Sequence, residues 1–356
     1  MKIGEVVDKK LKILIIQPKK LGDVVLTTPI IEALYKHFNE QNILAKIDFL
    51  VEDPFQEILI NNPFLDKIHI LNKKEGFFGK LKILSNVRKE KYDYIFDFFG
   101  NPTTCYITFF SKAKETYSFD YRIRKYFYKH IFPRNITKNM YIVDFKLSLL
   151  KDLKIEKKEI KTNIYLEKEI IAEKRKIIKN NGYNGKDKIV GIVVPNVRER
   201  NLIKNWIFDR YYILANKLIK DLGVFVILLT GPGEEENAKK IKDNIFDKSK
   251  VLITPIGKIR EIAGYIKNCD CIFSTCSGDK HIAVSLEVPT VTVFGPTNYK
   301  SSNPLDYKKY PPLFSKNLDC LACELHKCSK NSQKCMEDIT VDMVFEKIKS
   351  LLEEFC

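Results

Sequence analysis

Short apolar runs alternate with amphipathic stretches along this chain, and the alternation occurs twice. LKILIIQ (11–17) is continuous and rich in β-branched residues, which predicts a strand buried on both faces. A helix follows, with Thr28 as N-cap and Pro29 in the first turn, where its missing N–H costs nothing. KIDFLV (46–51), a helix from about Pro54, the Asn61-Asn62-Pro63 turn, KIHIL (67–71), an amphipathic 80–90 segment and DYIFDFF (93–99) continue the pattern. The stretch 112–160, rich in Tyr, Lys and Arg, reads as mainly helical, and 167–181 as an amphipathic helix closed by Gly182. From KIVGIVV (188–194) the alternation restarts, through strands at 224–229, 251–254, 270–274 and 289–295 with helices between them. This order predicts α/β architecture, with parallel sheets covered by helices on both faces.

At 356 residues, about two domains are expected. With 45% hydrophobic and 30% charged residues, the chain has enough apolar surface for two cores and is not a disordered polymer. The turn formers in NGYNGKDK (181–188) mark the junction. The expected division is therefore 1–180 as a first domain and 181–340 as a second. The helix 341–356 is left to pack back on the first.

No run of 18 apolar residues predicts a membrane span, and the N-terminus lacks signal-peptide organisation, so a cytoplasmic protein is expected. The net charge of +16 suits anionic partners, whether phosphorylated substrates or lipid headgroups, and equally a chain with solvated lysine faces. The basic segment Tyr121-Arg122-Ile123-Arg124-Lys125-Tyr126 allows both readings. Paired recognition helices, RNP-like strands and finger motifs are lacking, so nucleic acid is not an expected partner.

In open parallel sheets ligands bind beyond the carboxyl ends of the strands, so loops that follow strands carry the chemistry. After the first strand comes Pro18-Lys19-Lys20-Leu21-Gly22-Asp23. One glycine there is too few for a nicotinamide-dinucleotide fingerprint. Asp23 is either a helix N-cap or a carboxylate offered to a cleft. After the strand at 224–229 comes Gly231-Pro232-Gly233-Glu234, whose acidic residue either meets ribose hydroxyls or complements a helix dipole. Ser277, Gly278 and His281 open another helix, whose N–H groups suit a diphosphate, although His281 also reads as a packing residue. Lys204, near the single tryptophan Trp206, is a point charge for phosphate or a solvated lysine.

Taken in order, LKILIIQPKKLGDVVLTTPIIEAL, KIDFLVEDPF, IKNW, LLTGPGEEENAKK, SGDKHIAVSLEVPTVTVFGPTN and CLACELHKCSKNSQKCMEDIT resemble glycosyltransferase family 9, the heptosyltransferases of lipopolysaccharide core assembly. The resemblance runs from about residue 11 to 345. It implies the GT-B fold, two Rossmann-like doubly wound domains facing a central cleft. It also implies inverting transfer of a heptose or related sugar from a nucleotide sugar, ADP-heptose by family habit, with no cofactor required for catalysis. The acceptor would be the lipid-linked inner core, met at the cytoplasmic face of the inner membrane. By resemblance Asp23 is the general base, Lys204 contacts the donor phosphates, Glu234 holds the ribose, and Ser277, Gly278 and His281 form the phosphate loop, with Gly22 in the loop before the base. The departure is at Cys276, which stands where the family has Asp, with Asp279 just after the glycine. A member with altered donor specificity, or one that binds without turnover, is the alternative.

Cys320, Cys323, Cys328 and Cys335 cluster near His326 in the same resembling segment. In a reducing compartment such spacing suits a structural zinc, free thiols or, less in keeping, disulfides. Cys105, Cys269, Cys271, Cys276 and Cys356 are scattered and read mostly as small core residues.

Overall fold

A computed structural model describes residues 10–134, 139–155 and 161–355, without the side chains of 73 and 199–201. The extreme N-terminus and Cys356 lie outside the described residues. The chain forms two compact units, 1–137 with 142–165 and 138–141 with 166–356.

The first unit is a six-stranded parallel sheet in the order β3-β2-β1-β4-β5-β6. Its strands are β1 (Lys10–Ile16), β2 (Leu44–Glu52), β3 (Lys67–Leu71), β4 (Tyr94–Asp97), β5 (Glu115–Phe119) and β6 (His130–Phe132). Its helices are α1 (Leu21–Val25), α2 (Thr28–Glu40), α3 (Gly76–Glu90), α4 (Pro102–Ser111) and α5 (Ile142–Leu147). β1 is central, paired with β2 on one side and β4 on the other, which explains its unbroken apolar run: Ile13 to Ile16 are fully buried. α4 begins with a capping box between Asn101 and Thr104, with Pro102 at its start.

Three expectations are corrected here. The 112–160 stretch contains two strands, β5 and β6, because Tyr117 and Phe119 find partners on the sheet that local helical spacing does not reveal. The segment after Pro54 is a single 3-10 turn, Phe55–Ile58. The cap of α2 is Thr27, and Thr28 is its first residue.

The second unit repeats the plan, in the order β12-β11-β10-β7-β8-β9. Its strands are β7 (Ile189–Val193), β8 (Phe225–Leu229), β9 (Val251–Ile253), β10 (Cys271–Thr275), β11 (Thr290–Phe294) and β12 (Pro312–Phe314). The larger helices are α6 (Lys168–Asn180), α7 (Phe208–Leu222), α8 (Glu235–Asp243), α9 (Ile259–Lys267) and α10 (Gly278–Ser285). Two single turns, α11 (Tyr299–Ser302) and α12 (Lys334–Glu337), precede the closing helix α13 (Val341–Phe355).

The units divide between Tyr165 and Leu166, not at 180. The amphipathic helix α6 therefore belongs to the second unit. Glu167 pairs with Arg260, Lys174 with Glu261, and Asn268 donates to the Ile171 carbonyl, all tying α6 to α9. Gly264 permits the close approach, since a Cβ there would lie 2.8 Å from Ile170 Cγ2. α13 likewise belongs to the second unit and packs in its core. Val344, Phe345, Ile348 and Leu351 join Tyr211, Leu214 and Leu218 of α7 in one core. Trp206 belongs to that core as well, donating from Nε1 to the Ile339 carbonyl at 2.8 Å.

Candidate functional site

In each sheet the strand order reverses beside the first strand of the unit, between β1 and β4 in one and between β7 and β10 in the other. Loops leaving the two strands diverge there and open a crevice, the usual ligand position in such sheets.

In the first unit this crevice holds a cavity of about 250 Å³ lined by Pro18 and Lys19 after β1, Glu52 and Leu71 at the ends of β2 and β3, and Asn101, Thr103 and Thr104 at the start of α4. Asn72, with Gly76 and Lys80 of α3, completes it. Lys19 pairs with Glu52 at 3.3 Å. The sharp exit from β4 is made by Gly100, with φ of +56°. A side chain there would run into the Tyr121 ring, so glycine is required both by the turn and by the approach. Asp97, fully buried just before it, accepts from the backbone N–H groups of Phe99 and Gly100 and from Tyr128 Oη, while burial pushes its carboxyl upward.

Gly22 and Asp23 lie on α1. Asp23 is its third residue and not its cap; Lys20 holds that position. The backbone carbonyl of Asp23 accepts from Thr27 Oγ1 at 2.7 Å. Its carboxylate is within electrostatic reach of the Tyr121 phenol and the Lys146 ammonium. Lys146, from α5, is a participant that sequence reading missed. It is buried, donates to Gln17 Oε1 at 2.9 Å and lies over the Phe98 ring. Burial pushes its ammonium down to about 8, and the Asp23 charge works against that fall. The available signal was a lysine on the apolar face shared with Val143, Leu149 and Leu150.

In the second unit, Glu234 stands in the loop after β8 as the N-cap residue of α8. It is 8% exposed, accepts from Gly231 N at 2.8 Å and from Asn196 Nδ2 at 3.1 Å, and sits near Arg198 and Asp279. Burial, with Asp279 adding to it, pushes its carboxyl up to about 7. Asn196 is locked in turn by a reciprocal pair with Asn205. The N-terminus of α10 lies across from it: Ser277 caps the helix by accepting from Lys280 N, and its hydroxyl meets Ser274 Oγ at 3.1 Å. The first turn keeps N–H groups available to an anion.

Gly278 opens this helix and Cys276 is half-buried before it. His281 is buried, and desolvation followed by the Lys280 charge holds its imidazole well below the usual range, so it is neutral. Lys280 is fully buried, donates to the Ser302 carbonyl and lies over Phe294, tying the loop to α11. Lys204 ends the 3-10 turn Glu199–Lys204, half-buried and outside any ion pair among the described residues. The structure therefore gathers Glu234, Asn196, Arg198 and Asp279 into one electrostatic neighbourhood, with the Ser277–His281 turn contributing Asp279.

None of the described cysteines forms a disulfide, and Cys105, Cys269 and Cys271 are core residues as expected. Cys335 feels the charges of Cys320, Cys323 and Cys328, which places the four in one neighbourhood. Among the described residues, no three His, Cys, Asp or Glu side chains converge on a metal position.

Two Rossmann-like doubly wound units in one chain are the fold of the GT-B class of glycosyltransferases. The profile of glycosyltransferase family 9 (heptosyltransferase) matches residues 80–334, and the chain belongs to that family. It is similar to lipooligosaccharide heptosyltransferase 2 of Campylobacter jejuni subsp. jejuni, 26% identical over 348 residues, covering 96% of this chain and 99% of the relative. Its fold matches that of the glycosyl transferase family 9 protein from Veillonella parvula with a TM-score of 0.83 at 19% identity, over 97% of this chain and 98% of the other. The E. coli ADP-heptose lps heptosyltransferase II follows at 0.77 and 17%, over 97% and 99%. Among the described residues, no helix is long and apolar enough to cross a membrane.

Proposed function

We propose that this glycosyltransferase moves a heptose from ADP-heptose to the lipid-linked inner core of lipopolysaccharide, inverting the anomeric carbon, at the cytoplasmic face of the inner membrane. The observation that carries the reading is the second unit's crevice, where a buried carboxylate lies beside a serine-capped helix N-terminus. A nucleotide diphosphate has a ribose that suits the first and two phosphates that suit the second. The names of the Campylobacter and E. coli proteins, one for heptosyl transfer to lipooligosaccharide and the other for ADP-heptose, support the sugar and the acceptor.

In this mechanism the acceptor hydroxyl oxygen attacks the anomeric carbon from the face opposite the leaving group. Asp23 takes the hydroxyl proton as the new bond forms. The bond from the anomeric carbon to the diphosphate oxygen breaks, and ADP departs with the electron pair. The α10 N–H groups, with Ser277 and Gly278, and the Lys204 ammonium stabilise the charge that develops on it. Glu234 holds the ribose hydroxyls. Asp279, which shares the electrostatic neighbourhood of Glu234 and Arg198, supplies the acidic group of this loop in place of the residue at Cys276. His281, neutral, serves as a hydrogen-bonding group.

A panel of nucleotide sugars in thermal denaturation tests the donor. ADP-heptose is expected to raise the melting temperature well above any shift from UDP- or GDP-sugars, because ligand that binds only the native state stabilises it. Equal or larger shifts with UDP-sugars would overturn the assignment.

For the four clustered cysteines we propose a structural zinc, whose arrival would draw the neighbouring thiols into a tetrahedron. The donor set fits in kind, and four thiolates would leave no open coordination position, so the metal takes no part in transfer. Protein purified without chelator is expected to carry about one zinc per chain by elemental analysis. Absence of stoichiometric metal would leave the cluster as thiols.

A further inference from the structure

Large apolar side chains stand exposed on three neighbouring pieces of the first unit. On α3, Phe77 and Phe78 project at its first turn, Phe78 being 81% exposed. On α4, which packs beside α3, Tyr106, Phe109 and Phe110 form a stripe at helical spacing on the face turned away from the sheet. On the 3-10 turn Arg122–Phe127, Ile123 is 80% and Tyr126 78% exposed. Ring contacts join the last two pieces: Phe127 meets Tyr106 and Phe109, each at 5.6 Å.

A soluble protein has no folding reason to place this many aromatic residues in water on one face. Their setting is basic. Lys82 flanks the α3 aromatics, Lys112 follows the α4 stripe, and Arg122 adjoins Ile123, all exposed. Interleaved aromatic and cationic side chains suit an interface that is apolar below and anionic above: aromatic rings enter at headgroup depth while lysine and arginine meet phosphates. A protein partner would require a shaped complement; a bilayer requires only this composition and the chain's overall positive charge.

We infer that this face of the first unit, made by the start of α3, the outer stripe of α4 and the Arg122–Phe127 turn, docks on an anionic lipid surface. The inference rests on the reading of a lipid-linked acceptor, since docking would hold the first unit where such an acceptor is found.

Flotation of the full chain with vesicles of phosphatidylcholine alone, or with phosphatidylglycerol added, tests it. Binding is expected with the anionic vesicles and is expected to weaken as salt is raised. Two double variants on separate elements, Phe77→Ser with Phe78→Ser and Ile123→Ser with Tyr126→Ser, are each expected to lose at least about tenfold in vesicle affinity. Both sites are exposed, so melting temperature and transfer to a lipid-free soluble acceptor should be unchanged. Failure of the wild-type chain to bind anionic vesicles, or undiminished binding by both variants, would overturn the inference. So would a concentration-dependent dimer that the same substitutions abolish, because the face would then serve a second copy of the chain. Loss of transfer to the soluble acceptor in the wild type would instead count against the catalytic reading, so the two failures are distinguishable.

Discussion

Replacing Asp23 with alanine is expected to lower the rate of sugar transfer by about 10²- to 10⁴-fold, the usual worth of a positioned general base. The reason is local. Asp23 is the third residue of a five-residue helix leaving the central strand, so its backbone is fixed by β1 and its carboxylate is not consumed as a cap. The Lys146 ammonium, buried and bonded to Gln17, lies within electrostatic reach of that carboxylate. Because donor contacts are assigned to the other unit, ADP-heptose should stabilise the Asp23→Ala variant as much as the wild type. Steady-state transfer combined with thermal shift reads both quantities. Activity within a few-fold of wild type would remove Asp23 as the base.

Glu234→Gln should show the opposite relation, a gain of stability against a loss of donor affinity. The folded protein holds the Glu234 proton more tightly than the unfolded chain does, with the carboxyl pushed from 4.5 up to about 7. Stability from this group is therefore complete below pH about 4.5 and is lost as pH rises through about 7, amounting to roughly 3 kcal/mol at most. Glutamine remains neutral throughout, so its melting temperature relative to wild type should climb across that window. A pH-independent cost of about 1 kcal/mol is set against this gain, since glutamine offers one acceptor where Gly231 N and Asn196 Nδ2 now meet two. Ribose hydroxyls prefer the ionised carboxylate, so donor affinity should fall roughly 10- to 100-fold in the variant. In the wild type it should strengthen as pH rises through 7. Parallel melting curves for the two proteins from pH 5 to 8 would show that burial does not hold this proton.

Where the sequence was read correctly, the signal was local and repeated. A strand between two others has both faces covered, so β1, β7 and β8 are nearly uniform apolar runs that need no partner to be recognised, while β10 and β11 mix Ser and Thr into equally buried strands. The loops after them are where glycine, serine and acid must fall, which made Gly22, Asp23, Glu234, Ser277 and Gly278 visible as candidates. Edge strands carry a weaker signal. The edge strands β6 and β12 have three residues each, in sequence dense with Tyr and Lys, and only pairing with a neighbour makes them strands; the interior β5 beside β6 has five residues, ETYSF, with the same mixed composition.

What the sequence determined alone is the α/β class, the doubling of the sheet and the order of motifs, because a residue's side of a helix or strand is set by its near neighbours. What the tertiary structure decided is which partner each apolar face meets. An amphipathic helix states that it needs a partner and not which one, so α6 and α13 were assignable to the second unit only from their contacts with α9 and with α7. The same holds for single residues. Trp206 became core, Asp23 was released from capping, and Lys146, distant in sequence, entered its neighbourhood, because burial and electrostatic reach depend on what the folded chain brings close.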